Sequence, residues 1–413
     1  MKSNILALML GLLLAFLCSE VVLRVFPPAF MSDELYRQYD HDVGWLLKPV
    51  QSARTSKSCL NIHPIHVNHQ GFRDKEWEGK STIAVLGDSF MQGAQLPDGT
   101  LVPQVLESLL RVPVMNTGID GFGTLHEYLV YKKYVAPHKP EIVLLFFYPV
   151  NDVVDNSFRF LKDGTPMPRG FIDKEGKISV RLPDVSPEER SGLSAFVKRH
   201  VKTALLFRRG YDAVSALQNQ GPAASMGVVY MPETDELREA WQITEHYLTQ
   251  LQQEVSQQGG RFFVVVVPEY IQIANDWQQD LKDHFKIEVP NGFSRERPVR
   301  RLEQIAQRNG ISLIELDQFF RGYRDRWQLP APYFYYRCDG HWNPMGHFLA
   351  ANFIAKYLVE HRALSGDVDV FARNLQMSPS DILSAEGYRQ IYTVGRFDGR
   401  TNIMKLANQT LVH

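Results

Sequence analysis

The sequence predicts an α/β fold: an open, mainly parallel sheet flanked by helices, preceded by an N-terminal transmembrane helix. Three observations predict it. From Ile83 onward, short apolar runs alternate with stretches of helical spacing, the pattern of repeated β–helix–β units with right-handed crossovers. The run Ile142-Val143-Leu144-Leu145-Phe146-Phe147 is apolar on both faces, as a strand at the centre of a parallel sheet must be. Ahead of both, Ile5 to Cys18 holds only apolar residues and glycine.

Ser19 and Glu20 interrupt that first run, and Val21 to Phe26 extend it around Arg24. Counted through Phe26, residues 1–28 read as a membrane anchor, with Glu20 and Arg24 snorkelling to an interface. A cleaved signal segment is the alternative, but no Ala-x-Ala-like site follows, and Leu17 ahead of Cys18 is too large for a lipoprotein site. Either reading puts the rest of the chain outside the cytoplasm: periplasmic or at the cell surface if anchored, secreted if cleaved.

Residues 29–80 are polar and irregular, with Pro49, Pro64 and Gly71, and read as a leader packed on a main domain over 81–362. In that domain Ile83–Leu86 is a buried strand, Val102–Leu110 an amphipathic helix and Leu125–Tyr134 a second helix. An insertion around 157–232 interrupts the alternation. It holds a β-hairpin with turns at Asp163-Gly164 and Glu175-Gly176, then a helix with a basic, solvated face over Ser194–Leu217. Regular alternation resumes with a helix near 234–258, the strand Phe262–Val267, helices near 276–285 and 297–308, the strand Ile311–Leu316 and a last core helix over Pro344–Leu358. Residues 363–413 form a polar C-terminal extension with a helix near 379–386.

Charge excludes one class of function. Lys+Arg total 45 against 46 for Asp+Glu, so no basic footprint for nucleic acid is present. Of the three cysteines, Cys18 lies in the apolar run. Cys59 and Cys338 either pair in an oxidising compartment or stay as free thiols, and a pair would brace the loop at Asp339. His63, His66 and His69 match no standard zinc pattern and read as a polar loop. No metal or cofactor is expected, and the oligomeric state is not legible.

Three short stretches carry the chemistry. Gly87-Asp88-Ser89-Phe90 follows the strand Ile83–Leu86, and the carboxyl ends of strands are where open α/β sheets bind ligands. Ser89 there is a candidate nucleophile, although Gly, Asp and Ser are also ordinary turn residues. Asn151-Asp152 ends the most hydrophobic strand, where the Asn151 amide either faces a developing oxyanion or caps a helix. Asp339-Gly340-His341-Trp342-Asn343 lies just ahead of the helix opened by Pro344. Among the 13 histidines, His341 has a carboxylate two residues before it: Asp339 fixes the tautomer and frees the other ring nitrogen to take the Ser89 proton. Gly121, in Asn116-Thr117-Gly118-Ile119-Asp120-Gly121, either lets a backbone N–H approach substrate or serves a tight turn. Together these supply a nucleophile, a base with its orienting acid, and oxyanion donors.

In these blocks the chain resembles the SGNH (GDSL-like) hydrolase superfamily, which carries Ser, Gly, Asn and His in that order. Ser89, Gly121, Asn151 and His341 with Asp339 match them, over residues 80–360. Asn68-His69-Gln70-Gly71-Phe72-Arg73 resembles a leader element of membrane-anchored bacterial members. The resemblance implies a flavodoxin-like sheet, a Ser89–His341–Asp339 triad, and an oxyanion hole of the Ser89 and Gly121 amides with the Asn151 side chain. Many members carry the acid three residues before the histidine, a position filled here by Cys338. The Asp-x-His-Trp arrangement instead resembles the alginate acetylation proteins, in which it precedes the serine; here it follows, the hydrolase order. The expectation is a serine esterase removing acetyl groups from an extracytoplasmic carbohydrate. The alternatives are an O-acetyltransferase for an envelope or secreted polysaccharide, and an inactive glycan-binding module.

Overall fold

The computed structural model describes residues 2–25, 37–55, 63–160, 167–182, 201–204, 228–285, 288–336 and 340–383. Its centre is a five-stranded sheet of β5 (Ile83–Leu86), β6 (Val114–Asn116), β7 (Ile142–Phe147), β10 (Arg261–Val266) and β11 (Ser312–Glu315), in the order β11-β10-β7-β5-β6. Every pairing is parallel, with Ile83 beside Ile142 and Val143 beside Phe262. Numbered by their own sequence order, the strands run 2-1-3-4-5, a flavodoxin-like arrangement. In it the chain leaves the first and third strands in opposite directions, and that divergence opens a crevice beyond their carboxyl ends.

Burial on both faces explains the apolar strands. Val143, Leu145 and Phe147 join one core with helix α4 (Thr124–Val130), helix α5 (Asp235–Gln257) and the leader. Ile142, Leu144 and Phe146 join the other, with α3 (Val102–Leu110), α9 (Asp317–Trp327) and α10 (Pro344–Glu360). Side chains alternate with the strand period of two, so both parities must be hydrophobic. The insertion does contain an antiparallel hairpin, β8 (Arg169–Ile172) with β9 (Ile178–Arg181). Of the basic helix expected over Ser194–Leu217, only 201–204 fall among the described residues.

The leader differs from the expectation of irregular chain. It forms two hairpins, β1 (Arg37–Asp40) with β2 (Gly44–Leu47) and β3 (Val50–Thr55) with β4 (His63–Val67). His63 and His66 are therefore on a strand, not a polar loop, and exposed His69 pairs with Glu76 at 2.8 Å. The Asn68-to-Arg73 motif is a clamp. Asn68 Oδ1 accepts the Phe72 N–H at 2.9 Å, and Phe72 and Arg73 are buried. The Arg73 guanidinium donates to the carbonyls of Gln92, Gly93 and Leu96 and to Asp98 Oδ1. One leader cation thus satisfies the carbonyls that follow Ser89.

The first helix, α1, spans Lys2–Val25, and its described side chains begin at Met9. Leu10, Leu13, Leu14, Leu17, Val21 and Val25 are exposed along it. Among the described residues no helix is long and apolar enough to cross a membrane. Glu20, expected to snorkel, is instead buried: it accepts the Thr203 N–H at 2.6 Å and holds Arg24 at 3.2 Å. Cys18 is a free, exposed thiol, whereas Cys59 and Cys338 lie outside the described residues. Helices α9 and Val368–Gln376 were not anticipated from the sequence; both bury aromatic residues, Phe320 and Tyr323 on one and Phe371 on the other.

Two stability predictions follow from these contacts. Arg73→Ala leaves several buried carbonyls without donors, and chemical denaturation should show a loss of about 3 kcal/mol. His347, wholly buried on α10, accepts the Val102 N–H through Nδ1 at 3.2 Å, and burial, then the charges of Arg73 and His341, lower its pKa to about 3. The unfolded chain therefore binds a proton first, so this contribution is complete above the free histidine value and is lost as pH falls toward 3. Between pH 6.5 and about pH 5, wild type should lose roughly 2 kcal/mol more than His347→Asn in urea titrations.

Candidate active site

Ser89 opens the short helix α2 (Ser89–Gln92) directly after β5, with Asp88 as its N-cap and Gly93, in the left-handed region, as its C-cap. The Asp88 carboxylate is wholly buried. Its Oδ1 accepts the Phe90 N–H at 2.9 Å, and its Oδ2 accepts from Asn151 Nδ2 at 3.1 Å. One acid thereby joins the turn after β5 to the turn after β7. Burial pushes Asp88 up to about 6, against the Phe90 N–H, the neighbouring His341 charge and the Asn151 amide, which all favour its anion.

His341 comes from the far end of the chain. Two backbone bonds hold it: Tyr336 N–H donates to the His341 carbonyl at 2.8 Å, and Asn343 N–H donates to the Phe334 carbonyl at 2.8 Å. Trp342 is fully buried against Phe90 and Phe320, and the Phe90 ring also lies 4.8 Å from the imidazole. Asn343 caps α10 by accepting the Gly346 N–H at 3.1 Å. The result is a 2.7 Å hydrogen bond between His341 Nε2 and Ser89 Oγ, across 252 positions of sequence. Asp339 lies outside the described residues.

The loop from Asn116 to Gly121 is tied to the same turn. Asn116 Nδ2 donates to the Met91 carbonyl at 3.0 Å, Ile119 N–H donates to the Gly87 carbonyl at 3.1 Å, and Asp120 N–H donates to Gln92 Oε1 at 2.8 Å. Gly121 has φ +80°, a left-handed conformation that glycine adopts without strain. Among the described residues, neither its N–H nor that of Ser89 is spent on another group. The leader reaches here as well. The Trp45 ring lies 3.5 Å from where a Cβ on Gly121 would sit, and Arg37 stacks on that ring while pairing with Asp120 at 2.8 Å.

The structure thus brings Ser89 and His341 into hydrogen-bond contact and binds Asn151 to the residue beside the serine. Asp88 and Gln92 were not singled out from the sequence. Asp88 stands inside the Gly-Asp-Ser motif, but its motif position gives only a cap; the bond to Asn151 spans 63 positions. Among the described residues no group of His, Cys, Asp and Glu side chains is arranged to hold a metal ion.

Chemically, the arrangement fits proton transfer from a hydroxyl to an imidazole beside unspent backbone donors. Several solved structures follow a similar chain path. An acetyl xylan esterase is 13% identical, covering 67% of this chain and 98% of its own, at a TM-score of 0.36. An α/β hydrolase enzyme from the metagenome of Lake Arreo, Spain, is 14% identical, covering 70% and 99%, at 0.37. A catalytic variant of an acetylxylan esterase from Geobacillus stearothermophilus is 14% identical, covering 70% and 97%, at 0.34. No curated protein matches the chain. Residues 230–378, which contain His341, match the family model described as SGNH hydrolase-like domain, acetyltransferase AlgX.

Proposed function

We propose that this chain is a serine ester hydrolase of the SGNH type, removing acetyl groups from a carbohydrate outside the cytoplasm. The observation that carries the reading is the 2.7 Å bond from His341 Nε2 to Ser89 Oγ at the carboxyl edge of β5. In this reading His341 takes the Ser89 proton as Oγ attacks the acyl carbonyl. Asp339 orients the imidazole, and the negative oxygen is met by the Ser89 and Gly121 amides and by the second N–H of Asn151 Nδ2. The sugar hydroxyl leaves with the proton from His341. Water, deprotonated by the same imidazole, then releases acetate from Ser89. Helix α1, which among its described residues is not long and apolar enough to cross a membrane, would hold the protein to one through its exposed leucines and valines.

A second reading has one specific observation behind it, the acetyltransferase description of the family model over residues 230–378. There a glycan hydroxyl replaces water in the second half-reaction, and an acyl donor on the membrane side loads Ser89.

With p-nitrophenyl acetate as reporter, Ser89→Ala should reduce kcat/KM at least about a thousandfold, and Asn151→Ala should cost about a hundredfold in kcat. Unchanged turnover by Ser89→Ala would overturn the nucleophile assignment. Incubation with acetylated and unmodified oligosaccharides separates the two readings by mass spectrometry: acetyl lost to water supports hydrolysis, acetyl gained by the unmodified glycan supports transfer. The pH profile gives an independent check. Activity should fall on the acid side, as it does wherever a general base must be unprotonated to act; a flat profile with chemistry limiting contradicts general-base catalysis here.

A further inference from the structure

Two buried acids behind the site have no place in the mechanism above. Glu127 sits in the first turn of α4, is 1% exposed, and neither of its carboxyl oxygens has a hydrogen-bond partner. Asp152, next to Asn151, is fully buried. Its Oδ2 accepts the Tyr148 N–H at 2.9 Å, but its Oδ1 has no partner. A buried carboxylate oxygen without a donor is expensive, and Glu127 and Asp152 between them hold three such oxygens.

The start of α4, the helix that carries Glu127, is packed against the segment that carries Asp152. A Cβ on Gly123, the N-cap of α4, would lie 2.8 Å from the Asp152 carbonyl oxygen and 3.2 Å from its Cα. The Leu125 N–H donates to Asn156 Oδ1 at 2.8 Å, so the start of α4 is seated on the segment 152–156. Burial and the Asp88 charge push Glu127 well above the usual carboxylate range, and burial followed by the Glu127 and Asp88 charges does the same to Asp152. Other ionisable groups nearby do not supply a counter-charge. Asp155 is already held by Arg169 at 3.4 Å. His126 is locked neutral: its Nδ1 accepts the Gly123 N–H, Nε2 then donates to the Pro168 carbonyl, and burial with the Arg169 charge lowers its pKa to about 3. Tyr148 is pushed up, by burial first.

We propose that Glu127 keeps its proton at neutral pH and donates it to Asp152 Oδ1, so that the acid pair positions the turn bearing Asn151. One O–H···O bond gives Asp152 Oδ1 its donor, uses one of the two Glu127 oxygens and removes the mutual repulsion, since two interacting buried carboxylates do not both ionise. The pair fixes Asp152, whose other oxygen holds the Tyr148 N–H, and so sets the turn Tyr148–Asp152 from which Asn151 reaches Asp88. Glu127 is a positioning residue: it acts through Asp152 and touches no reacting atom. The catalytic consequence rests on Asn151 being an oxyanion donor, whereas the shared proton does not.

The test separates the two. Infrared difference spectra of full-length wild type minus Glu127→Gln, without substrate at neutral pH, should show a protonated-carboxyl C=O band that the variant lacks. Identical spectra overturn the proposal whether or not the protein hydrolyses esters. With p-nitrophenyl acetate, Glu127→Ala should lower kcat about tenfold or more with KM unchanged, and Glu127→Gln, whose amide still donates to Asp152, should recover most of it. Wild-type turnover by Glu127→Ala also overturns it. Wild type without esterase activity, but with the infrared band present, removes the hydrolase reading and leaves the shared proton standing.

Discussion

The geometry of the site depends on the buried carboxylate of Asp88. Its two oxygens face different segments, Phe90 N–H on the turn after β5 and Asn151 Nδ2 on the turn after β7. A neutral cap could hold either one; holding both at fixed separation needs two acceptors on a rigid planar group. Burial opposes the charge, as its rise to about 6 records, and the His341 charge is among the effects that favour the anion. The coupling is reciprocal. When an imidazole next to a buried carboxylate gains a proton, the carboxylate stabilises it, so Asp88 would assist the ion pair that general-base chemistry forms. It would do so from the side of the serine turn, separately from any orienting acid on the histidine's own loop.

The sheet order determines why these turns meet at all. β5 and β7 are neighbours in space, yet β6 and its connections intervene in sequence, so the chain after β5 goes to one side and the chain after β7 to the other. Ser89 and Asn151 therefore flank the crevice rather than cover it. The C-terminal segment closes the third side with His341, and the leader closes a fourth through Arg37 and Trp45 beside Asp120 and Gly121. Arg73 pins the carbonyls just past Ser89, so the leader braces the Ser89 turn as well as bordering the site.

What was legible in the sequence is what local periodicity records. Ile142–Phe147 shows itself because both of its faces need apolar atoms, and Val102–Leu110 because one face of a helix does. Pairing partners leave no such trace. The leader hairpins carry polar, mixed residues whose strand geometry depends on cross-strand bonds, and so looked irregular. Arg73 looks like a surface cation until the chain brings four acceptors around it. In α9, Arg321, Arg324 and Arg326 mask the buried Phe320 and Tyr323; Arg324 itself is buried, donating to Asn275 Oδ1 at 2.8 Å. At the site, Ser89, Gly121, Asn151 and His341 are each ordinary turn residues and stand out only together, as blocks in one order at the ends of predicted strands and ahead of a helix. Glu127 and Asp152 do not, because a buried acid and a surface acid have the same letter.

The chemistry at Ser89 cannot by itself separate hydrolysis from transfer. In the proposed reaction water and a sugar hydroxyl would be deprotonated by the same imidazole, attack the same acyl carbon and pass through the same negative oxygen, so every group named around Ser89 would serve both. The two outcomes differ only in how long an acceptor hydroxyl resides near the acyl group relative to water, a matter of binding beyond the reacting atoms. The surface that borders Gly121 is the leader hairpin, where a half-exposed Trp45 and Arg37 with its Asp120 partner form an aromatic and charged rim. A rim built from a separate segment can change its acceptor preference without disturbing the serine, histidine or oxyanion donors. In the proposed reaction the partition between water and glycan would therefore be set by the leader rim at Arg37 and Trp45, and acyl transfer to Ser89 by the turns that the sheet positions.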